Sequence, residues 1–322
     1  MNKNCFYTLL VIFVLALTAC TKVTAGNKVQ KETYIFAIKG QDTLSLDKYE
    51  VLSEKALAAK PVVLFAFGGG FKGGERDARR YISFFEFLAE NGFVVVSTDY
   101  RTALKNPDPK QLSTTEGFVA ALQNAIFTAV EDFYDATNYV MQNSDKWNVD
   151  SQRIVACGSS AGAITALQAE YEICTQSGLS KRLPDSFNYA GVVSFAGAIC
   201  NLGELQWNTK PCPIMMFHGD ADKTVPYEKA LIEGLGGLWG SATVAQQLEN
   251  MNVPYYFYKV ENAGHSIADT PLVNNRYDVL SFLTKQVLKK RKLTIITDEK
   301  VPGEEPAKKD FTILDYIQNN MN

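Results

Sequence analysis

The sequence predicts a single doubly wound α/β domain with a mostly parallel sheet and antiparallel strands at its N-terminal edge. Two observations carry this. Short apolar runs alternate with stretches of helical periodicity along most of the chain, and several of the runs show no polar alternation, as strands covered on both faces require.

Taken in order, a polar leader to about Gln30 is followed by Thr33–Ile38 and by the segment around Leu44-Ser45-Leu46, which predict a hairpin. Pro61–Phe67 is a continuous apolar run, bounded by Pro before and by Gly68-Gly69-Gly70 after, and predicts a strand buried on both faces. Gly92–Ser97 has the same character, and a helix over Arg79–Glu90 separates the two. The alternation continues with a long helix from about Glu116 to Asn143, a strand over Arg153–Cys157, a helix from Ala161 to about Thr175 and a strand over Ala190–Phe195. Two more strands, Pro213–Phe217 and Tyr255–Val260, bracket a region read as helical and broken by Gly234, Gly236, Gly237 and Gly240. A last helix is predicted from Pro271 to about Leu288. The domain is expected to span 31–292. The segment 293–322 changes composition through Val301-Pro302-Gly303 and has no reading beyond a docked arm or a flexible extension.

A chain of 322 residues that is 46% hydrophobic and 21% charged can bury a large core and is neither disordered nor fibrous. A net charge of -3 leaves no basic face suited to phosphate backbones, so nucleic acid is excluded as an expected partner. At the N-terminus, Lys3 precedes an apolar run from Phe6 to Leu17 and then Thr18-Ala19-Cys20. A run of about 12 residues is too short to span a bilayer and reads as a signal peptide. Its Leu17-Thr18-Ala19-Cys20 end resembles the bacterial lipobox. The expectation is therefore a signal peptide over 1–19, a lipid anchor on Cys20, a linker over 20–30, and a domain outside the cytoplasm, lipid-anchored in the cell envelope. The absence of Asp directly after Cys20 favours the outer membrane. The mature chain then keeps Cys157, Cys174, Cys200 and Cys212 in a compartment where disulfides persist, with three connectivities open. Cys200 and Cys212 flank a short loop and are the favoured pair; Cys157 sits in an apolar strand, where a packed thiol is commoner.

Gly158-Ser159-Ser160-Ala161-Gly162 is a G-x-S-x-G between a predicted strand and a predicted helix. A serine on so sharp a turn has little lateral room, which small flanking residues relieve. The turn also aims a helix N-terminus at the reacting centre. A serine hydroxyl needs a base, and the chain has two histidines. His265 lies on a loop after a strand end, where ligands bind in open α/β sheets, and is the candidate base. His218 is expected to be held by backbone at its strand end. Between serine and base in chain order lie Asp220 and Asp222. Asp222 is the candidate partner of the base, Asp220 the candidate turn closer, and Asp269 a distant third for the acid. Oxyanion donors are expected from the amides of Gly69, Gly70 and Ala161. Phe71, Tyr100 and Trp207 are candidate substrate-lining residues, with walls from the loops 102–117, 180–188 and 198–210.

The order of glycine triplet, Asp99-Tyr100-Arg101, the G-x-S-x-G, His218-Gly219-Asp220-Ala221-Asp222-Lys223-Thr224-Val225-Pro226 and Gly264-His265 resembles the α/β-hydrolase carboxylesterases, over roughly residues 60 to 290. The resemblance implies Asp222 as the triad acid. It also implies acylation of Ser160 by a carboxylic ester, with no cofactor and no metal. Phe67 stands where that family has His, which removes a hydrogen bond behind the glycine loop. No insertion is long enough for a large lid, so short-chain or carbohydrate-borne acyl esters are the expected substrates. A serine peptidase of this fold uses the same triad, but its usual companion is a large extra domain; a non-catalytic binding protein would usually lack a triad member.

Overall fold

The computed structural model describes residues 28–52 and 58–312, together with 315 and 317–319. The expected signal peptide and Cys20 lie outside the described residues.

The N-terminal hairpin is β1 (Val29–Lys39) and β2 (Asp42–Val51), antiparallel and joined at Gly40, whose positive φ of 64° suits the tight turn. β3 (Lys60–Ala66) is buried from its second residue onward, which its unbroken apolar run predicts. α1 (Arg79–Glu90) buries Tyr81, Phe84, Phe85 and Leu88, one stripe at helical spacing, and leads to β4 (Val94–Thr98). Thr114 accepts from the Gly117 amide and opens α2 (Thr115–Gln142), followed by the single turn α3 (Ser144–Trp147). β5 (Val149–Ser159) ends on the G-x-S-x-G, and α4 (Ala161–Thr175) leaves it, buried on nearly every side. β6 (Gly191–Phe195), β7 (Ala198–Asn201), β8 (Ile214–Gly219), β9 (Lys229–Ile232), β10 (Gly236–Gly240), α5 (Ser241–Asn250) and β11 (Tyr255–Val260) follow. The chain then forms α6 (Pro271–Asn274), α7 (Arg276–Phe282) and a π-helical turn over Leu283–Leu288 before β12 (Ile295–Glu299).

The main sheet runs β1-β2-β4-β3-β5-β6-β8-β11-β12. β1 and β2 are its antiparallel edge, with β2 also antiparallel to β4, and every pair from β4–β3 onward is parallel. From β3 the chain steps to one side for β4 and then returns to the other side for β5. Strand order therefore reverses between β3 and β5, and ligands of open α/β sheets bind at such a reversal. The glycine triplet leaves β3 there and Ser160 leaves β5.

Several expectations need correction. The region between β8 and β11, read as helical, holds the β9–β10 hairpin before α5, and β10 pairs with β7 in a separate three-stranded antiparallel sheet. The glycines that were read as helix breakers serve this hairpin: Gly236 and Gly237 have positive φ, and a Cβ on Gly237 would sit 2.0 Å from the Ala230 carbonyl oxygen. The single helix expected over 271–288 is broken at Asn275 and shifts to a π turn. The segment after 292 is part of the architecture, since β12 adds a ninth strand beside β11. Cys200 and Cys212 are not bonded; all four described cysteines are buried free thiols. The Cys200 amide is tied to Gln168 and the Cys212 amide to Glu170, so different side chains of α4 hold the two.

Candidate active site

At Ser160 the backbone has φ 52° and ψ -119°, a conformation an L-residue adopts only when its surroundings enforce it. The enforcement is steric. A Cβ on Gly158 would lie 2.2 Å from the Gly162 carbonyl oxygen, and one on Gly162 would lie 2.1 Å from that of Ala66. Strand β5, strand β3 and helix α4 meet here at backbone distance, and only glycine fits. The Ser160 amide donates to the Phe195 carbonyl at 2.8 Å, which anchors the turn to β6.

Ser160 Oγ lies 2.8 Å from His265 Nε2, and His265 Nδ1 lies 2.7 Å from Asp222 Oδ2. Three loops at the C-terminal ends of β5, β11 and β8 thus bring the three sequence candidates into one hydrogen-bonded line. Asp222 is almost completely buried, and each of its oxygens is used. Oδ1 accepts the amides of Thr224 at 2.7 Å and Val225 at 3.1 Å; Oδ2 faces His265 and, at 3.4 Å, His218 Nε2. Burial alone would raise its pKa. The hydrogen bonds from His218 and His265 outweigh that and hold the carboxyl well below the usual carboxylate range. An ionised Asp222 is the form that orients the His265 Nδ1–H and leaves Nε2 free to accept from Ser160.

His218 is fully buried and is not held by backbone alone. Nε2 lies 3.2 Å from the Val225 carbonyl and Nδ1 2.7 Å from Ser241 Oγ. Ser241 Oγ also donates to the Gly197 carbonyl at 3.2 Å, so both ring nitrogens of His218 have polar partners and Ser241 links the ring to the turn after β6. Ser241 begins α5 directly after the unpredicted hairpin, so sequence reading had no means of finding it. Asp220 is not the acceptor for its own turn, whose Thr224 and Val225 amides go to Asp222; its Oδ1 accepts the Asn262 amide from the His265 loop at 2.7 Å. Asp269, half exposed, forms no ion pair with His265. It accepts from Ser159 Oγ at 3.3 Å and pairs with Arg80 Nε at 3.4 Å.

The amides of Gly69, Gly70 and Ala161 meet no acceptor among the described residues, whereas the Gly68 amide is spent on Tyr81 Oη at 3.0 Å. Gly69 and Gly70 have positive φ, and the Lys72 and Gly73 amides return to the Gly69 carbonyl to close the loop. The hydrogen bond missing behind the loop at Phe67 is replaced by packing. The Phe67 ring stacks on Tyr100 at 4.4 Å, and Tyr100 Oη donates to the Phe67 carbonyl at 2.7 Å. Tyr81 and Arg80, which hold this loop and the rim beside it, were missed in the sequence because both read as ordinary positions of α1.

The substrate-lining candidates are corrected. Phe71 is 1% and Tyr100 3% exposed; they pack edge-on beneath the loop and support it. Trp207 packs edge-on against Tyr171, ten residues into α4 and so about 15 Å of helix away from its start. The loop 180–188 lies at that far end too, because α4 runs antiparallel to the strands and delivers the chain to the start of β6. A cavity of about 520 Å³ touches Asp222, but its walls come from Tyr227, Lys229 and Lys309–Thr312 and do not include Ser160 or His265. No group of three or more His, Cys, Asp or Glu among the described residues could hold a metal ion, and no described helix is long and apolar enough to cross a membrane.

Comparison with known proteins fits this geometry. Esterase LipI of Mycobacterium tuberculosis is 31% identical over 109 residues, 34% of this chain; the matched stretch spans little more than a quarter, 28%, of LipI. Among solved structures, esterase 2 of Thermogutta terrifontis phosphoramylated by tabun superposes with a TM-score of 0.58 at 19% identity, covering 79% of this chain and 94% of that one. The propionate-bound form of the same esterase gives 0.56 at 19% identity, covering 81% and 94%. These likenesses establish an α/β-hydrolase fold. The BD-FAE family model matches residues 46–209, from the second strand of the hairpin through the glycine triplet and Ser160 to the end of the Trp207 loop. The chain, matched over half its length, belongs to the BD-FAE family.

Proposed function

We propose that the protein is a serine esterase in which Ser160 is the nucleophile, His265 the general base and acid, and Asp222 the group that orients His265. The observation that carries this reading is the unbroken line from Ser160 Oγ through His265 to buried, ionised Asp222. His265 Nε2 takes the Ser160 proton as Oγ attacks the ester carbonyl, and the amides of Gly69, Gly70 and Ala161 receive the oxyanion. Collapse passes the proton to the leaving alcohol. Water, deprotonated by the same imidazole, then releases the acid and restores Ser160. Each proton that His265 accepts it returns within the same half-reaction, so the cycle closes without an external reactant besides water.

Short-chain or carbohydrate-borne acyl esters are the proposed substrates. The propionate and butyrate named for the T. terrifontis esterase 2 structures support the short acyl group. The glycan part rests on the proposed lipid anchor at Cys20 and an envelope location facing extracellular polymer. Hydrolysis of a p-nitrophenyl series from acetate to octanoate tests the reading. Turnover fastest on acetate to butyrate, and at background in Ser160→Ala, is expected; full activity in Ser160→Ala would overturn it.

A further inference from the structure

The C-terminal segment, which the sequence left without a role, grips the two loops that carry Asp222 and His265. After β12 the Glu261 amide bonds the Glu299 carbonyl at 2.9 Å, and the chain turns back at Val301–Glu304. It then crosses the ends of β11 and β8. The Ala307 amide donates to Asn262 Oδ1 at 2.9 Å, on the His265 loop. Lys309 Nζ pairs with Asp220 Oδ2 at 2.7 Å, on the Asp222 loop, and reaches Glu261 Oε1 at 3.6 Å. Lys223 Nζ donates to the Asp310 carbonyl, and Asn319 Nδ2 donates to the Lys223 carbonyl at 2.7 Å.

These contacts converge on one bridge. Asp220 and Asn262 are already joined to each other, Oδ1 to amide at 2.7 Å, and together with the Ala221 amide, which donates to the Ala263 carbonyl at 3.0 Å, they tie the acid loop to the base loop above the strands. Lys309 holds the Asp220 end of this bridge and Ala307 the Asn262 end. Asp222 lies two residues from Asp220, and His265 three from Asn262. The arm also lies over the far side of the acid: Phe311 and Thr312 share with Asp222 and Tyr227 the walls of a cavity of about 520 Å³. A misplacement of about 1 Å in a relay of this kind costs orders of magnitude in rate, so whatever fixes the two loops relative to each other acts on turnover.

We propose that the C-terminal arm is a clasp that sets the distance between Asp222 and His265, with Lys309 as its positioning residue; the proposal rests on the esterase reading above. Lys309 is 41% exposed, and a surface ion pair adds little to stability. A clasp and a merely structural tail therefore predict different results for the same substitution.

The test uses the full chain and compares Lys309→Met and Lys309→Arg with the parent on p-nitrophenyl butyrate, reading kcat, KM and Tm. The clasp predicts that Lys309→Met lowers kcat about 5- to 20-fold, with KM within about twofold and Tm within about 2 °C, and that Lys309→Arg restores most of kcat. Unchanged kcat in Lys309→Met, a loss that Arg does not restore, or a loss that follows a fall in Tm would each overturn it. Should the parent hydrolyse no ester and the nucleophile resist labelling, the esterase reading itself fails and takes the clasp with it. An active parent matched by Lys309→Met overturns the clasp alone.

Discussion

Between Gly158 and Gly162 the backbone does the positioning; between Asp220 and His265 side chains do most of it, beside one backbone bond from Ala221 to Ala263. On the nucleophile side, β5, β3 and α4 approach so closely that any Cβ at Gly158 or Gly162 would fall within 2.2 Å of a carbonyl oxygen, and Ser160 is forced into its strained φ of 52° by its neighbours in chain and sheet. On the relay side the carbonyl of Val225, the hydroxyl of Ser241, two imidazoles and the Asp220–Asn262 link share the work, drawn from three separate stretches of chain. Steric positioning does not titrate and tolerates no added atom. Positioning by charge tolerates isosteric change in shape and fails when a proton is added.

The largest effect is expected on the relay side. Asp222→Asn keeps the shape and can still accept the Thr224 and Val225 amides, but it presents His265 with no charge and favours the wrong tautomer. A fall in kcat of roughly 10³- to 10⁴-fold is expected, by analogy with the same change in other serine triads. Smaller, and of a different kind, is the effect of Gly162→Ala. Its methyl would meet the Ala66 and Phe67 carbonyl oxygens at 2.1 and 2.6 Å, both of them backbone, so β3 or α4 must move. A destabilisation of about 1–3 kcal/mol is expected, with activity and Tm falling together.

The smallest effect separates the two mechanisms by pH. The Asp222 carboxyl is depressed below its ordinary value of 3.8, so as pH falls the unfolded chain takes up the proton first. The stability Asp222 contributes is therefore complete above about pH 5 and is lost as pH drops below about 4 toward the folded value. The Tm gap between the parent and Asp222→Asn should hold constant from about pH 5 to 8 and narrow in more acid solution, measured by thermal unfolding. The gap for Gly162→Ala should not change with pH. A Gly162→Ala gap that closed in acid would break the distinction.

The same contrast explains what the sequence made legible. The strand–turn–helix around Ser160 is local, and its requirement for glycine is written in adjacent positions, so Gly158 and Gly162 could be read directly. The parallel core was legible because β3, β4, β5 and β6 are buried on both faces and carry no polar alternation. Asp222 and His265 could be named from chain order, but Ser241 and the Asp220–Asn262 bridge could not, because each depends on contacts across more than 20 residues of intervening chain. β7 and β10 are four- and five-residue strands that pair across 35 or more positions, too short for any period to show. Trp207 and the 180–188 loop were placed near the site because they are loops. The direction of α4, which carries the chain away from Ser160, puts both at the opposite end. Phe71 and Tyr100 were assigned to substrate on the strength of aromatic character, yet in this fold they fill the space that holds the glycine loop in place of a hydrogen bond from Phe67.

The central claim is that the strained Ser160 is activated by the relay that faces it. Reaction of the purified protein with a fluorophosphonate probe, followed by peptide mass spectrometry, tests this most directly. The account predicts one label, on Ser160, formed rapidly in the parent and at least about 10³-fold more slowly in His265→Ala. Labelling at another serine, or equal rates in the parent and His265→Ala, would contradict it.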